Sequence, residues 1–196
     1  MENFKIDEVY GMHNWPGVEL GKFAIRSGPF FAASDFIEAT ISGKGGHAAK
    51  PQETIDPTVI ASQIVVALQT IASRRADPVK QVVVSVTSFE TSSNAFNVIP
   101  QEVKIKGTVR TLDPEVRDLA EKEFLRITKL TAEALGGSAD AKYTRGYPVM
   151  SNSDQQTEFA AKVARDVSGK CDEAPLVMGG EAVSYTHLTL PTSTLV

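Results

Sequence analysis

The chain has 196 residues, 42% of them hydrophobic, enough to close a core in one domain or in two small ones. A formal net charge of -4 excludes the broad basic field that draws a protein to nucleic acid or to an anionic membrane. Its one cysteine, Cys171, cannot form an internal disulfide, no apolar run reaches the ~18 residues of a membrane span, and the opening M-E-N-F-K-I-D lacks the order of a signal peptide, so a cytoplasmic protein is expected.

Val9 to Arg26 alternates short apolar runs with turn residues around Pro16, Gly17 and Gly21, which predicts two short strands. Ile37, Ala39 and Ile41 alternate with Glu38, Thr40 and Ser42 as a half-buried strand requires, and the turn G-K-G-G-H follows. Apolar positions Ile60, Ile64, Leu68 and Ile71 recur at helical spacing, with Asp56 as cap and Pro57 in the first turn, predicting a helix from Pro57 to about Arg75. Val82 to Val86 and Val103 to Arg110 read as two further strands, the second alternating Val103, Ile105, Gly107 and Val109 with Lys104, Lys106, Thr108 and Arg110. Asp113-Pro114 opens a second helix with a stripe of Val116, Ala120, Phe124, Ile127, Leu130 and Ala134, stopped at Gly136-Gly137. A strand from Ala139 to Tyr143 closes the unit, and a helix from about Asp154 to Val167 comes after it. The order from Asp35 to about Pro148 is therefore β-α-β-β-α-β, the split or ferredoxin-like arrangement of an α+β fold. Neither flank has enough apolar residues for a core of its own, so the unit reads as an insertion between two pieces of a larger domain.

G-M-H-N-W-P-G, S-G-P-F-F-A-A-S-D-F, G-K-G-G-H-A-A-K-P, N-A-F-N-V-I-P, G-T-V-R-T and M-G-G-E occur in the order and spacing of the M20 family of metal-dependent amidohydrolases. The closest resemblance is to the hippurate hydrolase and N-acyl-amino-acid amidohydrolase branch, over roughly residues 1 to 181. It implies a ferredoxin-like lid and dimerisation domain, residues 35–148, inserted in a partial α/β dinuclear-metal hydrolase domain formed by residues 1–34 and 149–181. It further implies two divalent ions (Mn, Zn or Co) in the full-length protein, a homodimer formed through the inserted domain, and an N-acyl amino acid as substrate. The family's Cys-Gly-His-Asp motif, its Glu-Glu pair with the general base, and a further metal-binding histidine are not in this sequence. The chain alone is therefore expected to be inactive, since hydroxide formation near neutral pH needs the full ligand set. Residues 182–196 carry no family pattern and read as a disordered or artefactual tail, with His187 an exposed histidine rather than the missing ligand.

Four residues are the candidates for chemistry, and each has two readings. His13 is either a strand-end histidine bonded to backbone or, by the resemblance, a metal ligand. His47 is either a mobile surface histidine or the lid histidine that stabilises the oxyanion in the partner subunit's site, with Gly43, Gly45 and Gly46 lending the backbone freedom to reach it. Asn97 is either a turn residue, as Asn94 is read to be, or a hydrogen-bond partner of substrate. Arg110 is either a solvated charge beside Lys104 and Lys106 or the guanidinium that grips a substrate carboxylate. Asn14, Trp15 and Pro16 are read as shaping their loop, Cys171 as an incidental thiol, and Glu181 is assigned no role. The expected function is hydrolysis of the amide of N-acyl amino acids, hippurate-like, to a carboxylate and a free amino acid. The alternative is a non-catalytic ferredoxin-like module for dimerisation or small-ligand binding.

Overall fold

The computed structural model describes residues 7–15, 18–175 and 177–179, so Pro16, Gly17, Glu181, His187 and the tail expectation lie outside it. The first described strand is β1, Phe23–Ile25, and it is the only one before Arg26; Val9 to Trp15 has no regular structure, against the expected pair of strands. β2, Gly28–Phe31, and β3, Ala33–Ser42, follow. Then come β4, Gly46–His47, α1, Pro57–Leu68, and β5, Val82–Thr91. β6, Val98–Ile99, and β7, Glu102–Thr111, precede the long helix α2, Pro114–Ala134. β8, Ser138–Tyr147, β9, Met150–Asn152, α3, Asp154–Ser168, and β10, Cys171–Glu173, complete the chain.

Four strands form one antiparallel sheet in the order β5-β7-β3-β8. Its inward positions, Ile37, Ala39, Ile41, Val84, Val103, Ile105 and Val109, meet Ile60, Ala61, Ile64 and Leu68 of α1 and Ala120, Phe124 and Ile127 of α2 in a single apolar cluster. Both helices start where their sequence dictates. The Asp56 carboxylate accepts from Thr58 N–H at 2.8 Å, that of Asp113 accepts from the Glu115 and Val116 amides at 2.9 and 3.1 Å, and each is followed by a proline.

The first helix stops earlier than its periodicity predicts. α1 ends at Leu68, and Ile71–Arg75 is a π-helical turn closed by Ala76 N–H on the Ile71 carbonyl. Wider winding there keeps Ile71 buried just before Pro78 bars further helix. On α2, Leu130 and Ala134 are exposed and the buried face passes instead through Thr128 and Ala132. The helix runs on past the edge of the core, so an apolar residue in phase at its end finds nothing to cover it.

Outside this unit the two flanks pair with each other. β1 runs parallel to β10, β2 antiparallel to β9, and α3 lies against β1 and β10. The chain crosses from flank to sheet at Ala32 and returns at Pro148, so both crossings lie side by side at the start of β3 and the end of β8. Among the described residues no helix is long and apolar enough to cross a membrane.

Candidate functional sites at the two ends of the sheet

The predicted residues fall into two groups at opposite ends of the strands. At the far end, β4 pairs with β6, setting His47 opposite Val98 and Gly46 opposite Ile99. Ala48 N–H donates to the Asn97 carbonyl at 2.9 Å, so His47 and Asn97 occupy one two-loop platform. Gln101, which no motif singles out, fastens it. Its amide oxygen accepts from Gly45 N–H at 3.0 Å, its amide nitrogen donates to the Gly43 carbonyl at 2.9 Å, and its own carbonyl accepts from Gly43 N–H at 3.1 Å.

The glycines here serve close packing, not the mobility expected of them. None of Gly43, Gly45 and Gly46 is among the glycines with positive φ. A β-carbon on Gly43 would collide with the Ile55 carbonyl oxygen, and one on Gly45 would lie 2.8 Å from that of Ile99. Gly43→Ala is accordingly expected to lower stability by about 1–3 kcal/mol, as overpacking does, read as a fall in the thermal midpoint.

The two candidate histidines carry opposite tautomers when neutral, and their partners assign them. His47 Nδ1 lies 3.1 Å from the backbone N–H of Ala49, which can only donate. Nδ1 must accept, the ring proton sits on Nε2, and the exposed end of His47 is a hydrogen-bond donor. His13 Nδ1 lies 2.6 Å from the Asn14 carbonyl, which can only accept. That ring holds its proton on Nδ1 and keeps the Nε2 lone pair free.

His13 belongs to the near end, where the flanks meet the sheet. It stacks obliquely on Trp15 and Phe31 at ring separations of 5.5 and 5.4 Å, and Trp15 lies against Gly179. Ala32 N–H donates to the carbonyls of Val177 and Gly179, both at 3.1 Å, which brings Gly179 beside Trp15. Trp15 therefore packs its loop, as its surroundings in the sequence led one to expect.

Arg110 sits at this same end, on β7 between Ser34 of β3 and Val83 of β5. One of its terminal guanidinium nitrogens is buried and has no hydrogen-bond partner among the described residues, so it is not the freely solvated charge of the simpler reading. β3 advances eight residues from Ser34, beside Arg110, to Ser42, about 27 Å of strand before the chain reaches His47. No side chain spans that length. In one copy of the chain, His13 and Arg110 do not share a site with His47 and Asn97.

Between Arg110 and the helices lies a group that the motif reading missed. Asp35 is fully buried and receives both Nε and Nη2 of Arg117, at 2.9 and 2.6 Å, the Tyr143 hydroxyl at 2.7 Å and Gly146 N–H at 3.0 Å. Arg117 donates further to the carbonyls of Gly146 and Tyr147, both at 3.2 Å. Burial alone would push the Asp35 carboxyl up, but the Arg117, Tyr143 and Gly146 donors outweigh it and hold it below its ordinary range. The Tyr143 phenol is held up by burial and by the carboxylate it serves. A signal was present in the sequence: Asp35 falls in phase with the inward residues Ala33, Ile37, Ala39 and Ile41, and a charge in that phase needs a buried partner.

A dinuclear metal centre needs several donors around one cavity, and these residues do not fit one. Among the described residues no group of three or more His, Cys, Asp or Glu side chains comes together, and His13 is the only predicted ligand they contain. Cys171 lies half-buried on β10, away from the groups at either end of the sheet.

Comparison with known proteins gives a consistent picture. Residues 34–134, just over half of the chain, match the peptidase dimerisation domain of the M20 family. The chain is 37% identical over 181 residues to an N-acetyl-L-cysteine deacetylase of Bacillus subtilis, covering 92% of this chain and 43% of that protein. It is 38% identical over 171 residues to a hippurate hydrolase of Campylobacter jejuni, covering 86% and 44%. Among solved structures it superimposes on a Bacillus subtilis protein described as a dinuclear metal binding peptidase from the M20 family, with a TM-score of 0.69, 29% identity and coverage of 87% and 42%. The chain thus spans less than half the length of the relatives it matches.

Proposed function

Because the chain belongs to the M20 peptidase family through its peptidase dimerisation domain, we propose that it is the lid and dimerisation portion, with adjoining pieces of the catalytic domain, of an amidohydrolase acting on N-acyl amino acids. The β5-β7-β3-β8 sheet with α1 and α2 on one face is read as a ferredoxin-like insert covering about residues 35–148. The observation that carries the functional reading is that the two Nδ1 atoms meet opposite partners, a backbone N–H at His47 and a carbonyl at His13. An outward Nε2–H on His47 suits the negative oxygen of a tetrahedral intermediate, and a free Nε2 lone pair on His13 suits a divalent ion. The Arg110 guanidinium, with one buried nitrogen still without a partner among the described residues, is read as the group that takes a substrate carboxylate, and Asn97 beside His47 as a hydrogen-bond partner of substrate.

On this reading the separated groups act across two subunits. His13 and Arg110 of one subunit would act with His47 and Asn97 of the other, in a homodimer built through β5 and α1. That edge exposes Val59 and Val66 on α1 and Val83 and Phe89 on β5. The opposite edge, β8, is guarded by Lys142 and by Arg145 paired with Glu121 and Asp118. On this proposal water activation belongs to metal ligands beyond His13, and the 196-residue chain alone is expected to be inactive. A cytoplasmic location is part of the same proposal, and the lone cysteine fits a reducing compartment.

The test is hydrolysis of N-acyl amino acids, hippurate included, by the complete polypeptide supplied with manganese, zinc or cobalt. Arg110→Met is expected to raise KM for these substrates about 10- to 100-fold while leaving amides without a carboxylate unaffected. Absence of hydrolysis with every metal, or equal effects of Arg110→Met on both substrate types, would sink the reading.

A further inference from the structure

We infer that Phe96 is a specificity-determining residue, an apolar wall that one subunit presents to the acyl group of the substrate held in the other. The inference rests on the two-subunit reading above.

Phe96 is wholly exposed, although its ring is among the largest apolar side chains of the molecule. It is not exposed through looseness of its loop, which is braced on both sides. Ser92 Oγ accepts from the amides of Gln101 and Glu102 at 3.2 and 3.1 Å, and Thr91 Oγ1 donates to the Ser93 carbonyl at 2.6 Å. The next residue, Asn97, is tied to Ala48. Val98, also exposed, lies directly across the β4–β6 ribbon from His47, so those two side chains share a face. Polar bonds thus hold an aromatic ring and a valine in water on the segment that pairs with His47, whose outward nitrogen donates.

The chemistry of the amide says what they meet. When His47 Nε2–H takes the carbonyl oxygen, the carbonyl carbon has two other substituents. One is the nitrogen, which leads to the amino-acid carboxylate and so toward Arg110 of the other subunit. The other is the acyl carbon, which is left facing the loop that carries Phe96 and Val98.

The experiment measures the ratio of kcat/KM for N-benzoylglycine to that for N-acetylglycine, in the complete dimeric polypeptide and its Phe96→Ala and Phe96→Leu variants. Phe96→Ala is expected to lower that ratio about tenfold or more, since loss of an aromatic wall penalises the large acyl group selectively, with Phe96→Leu in between. An unchanged ratio overturns the inference, whether both substrates suffer equally or neither does. His47→Ala separates the two ideas: it should slow both substrates alike, and if it slows neither, or if the wild-type protein hydrolyses neither, the two-subunit reading has failed and the inference falls with it.

Discussion

Replacing Asp35 by alanine is expected to lower the free energy of unfolding by about 3–5 kcal/mol, the usual cost of removing one partner from a buried ion pair. The loss arises less from the missing attraction than from what remains. Arg117, only 12% exposed, keeps its charge under α2 with no carboxylate to meet it, and the Tyr143 hydroxyl and Gly146 N–H lose their acceptor. A denaturant titration followed by circular dichroism checks this. The companion double change, Asp35→Leu with Arg117→Met, is expected to recover most of the stability, because an apolar pair of similar volume leaves no charge stranded. Failure of the double variant to improve on Asp35→Ala would mean that the backbone bonds at Gly146 and Tyr147 hold the crossing together, not the ion pair.

The same group makes stability depend on acid in a definite direction. Asp35 is depressed in the folded chain, so its contribution is fully present above its unfolded value near 3.8 and is lost as pH falls through the lower folded value. The wild-type chain should therefore lose stability below about pH 4, and the double variant should show a shallower acid limb.

His47→Ala in the complete polypeptide is expected to cut kcat about 100- to 1000-fold with no change in the thermal midpoint, because the side chain is exposed and touches no core residue. A mixing experiment gives this prediction its force. If each site takes Arg110 from one subunit and His47 from the other, dimers of His47→Ala with Arg110→Met contain one intact site and one doubly damaged site. Random exchange of the two impaired variants should then restore about a quarter of wild-type kcat/KM for an N-acyl amino acid. No restoration would mean that both residues serve the same chain, which the length of β3 argues against.

The helix starts were legible from a few neighbouring residues. Asp56-Pro57 and Asp113-Pro114 announced them, and the structure places both there with the aspartates capping. The alternation at Ile37, Ala39 and Ile41 likewise marked the buried face of β3. Where such a rule misled, a tertiary circumstance overrode it: Leu130 keeps helical phase but overhangs the core, and Val9 to Trp15 finds no strand to pair with among the described residues. The glycines of G-K-G-G were plain to see, but whether they bend or pack depended on the Ile55 and Ile99 carbonyls pressed against them.

Local order could thus be read from the chain because caps, prolines and periodicity act within one or two turns of backbone. The candidate residues His13, His47, Asn97 and Arg110 are picked out by the resemblance of their motifs to a known family, since local pattern alone leaves each with two readings. Their grouping could not be read in either way. That His47 is fastened to Asn97, that Asp35 is held by Arg117 82 residues away, and that Arg110 lies a full strand from His47 are consequences of strand register. Register is set by which faces find a common core, and that is settled only when all four strands and both helices pack at once.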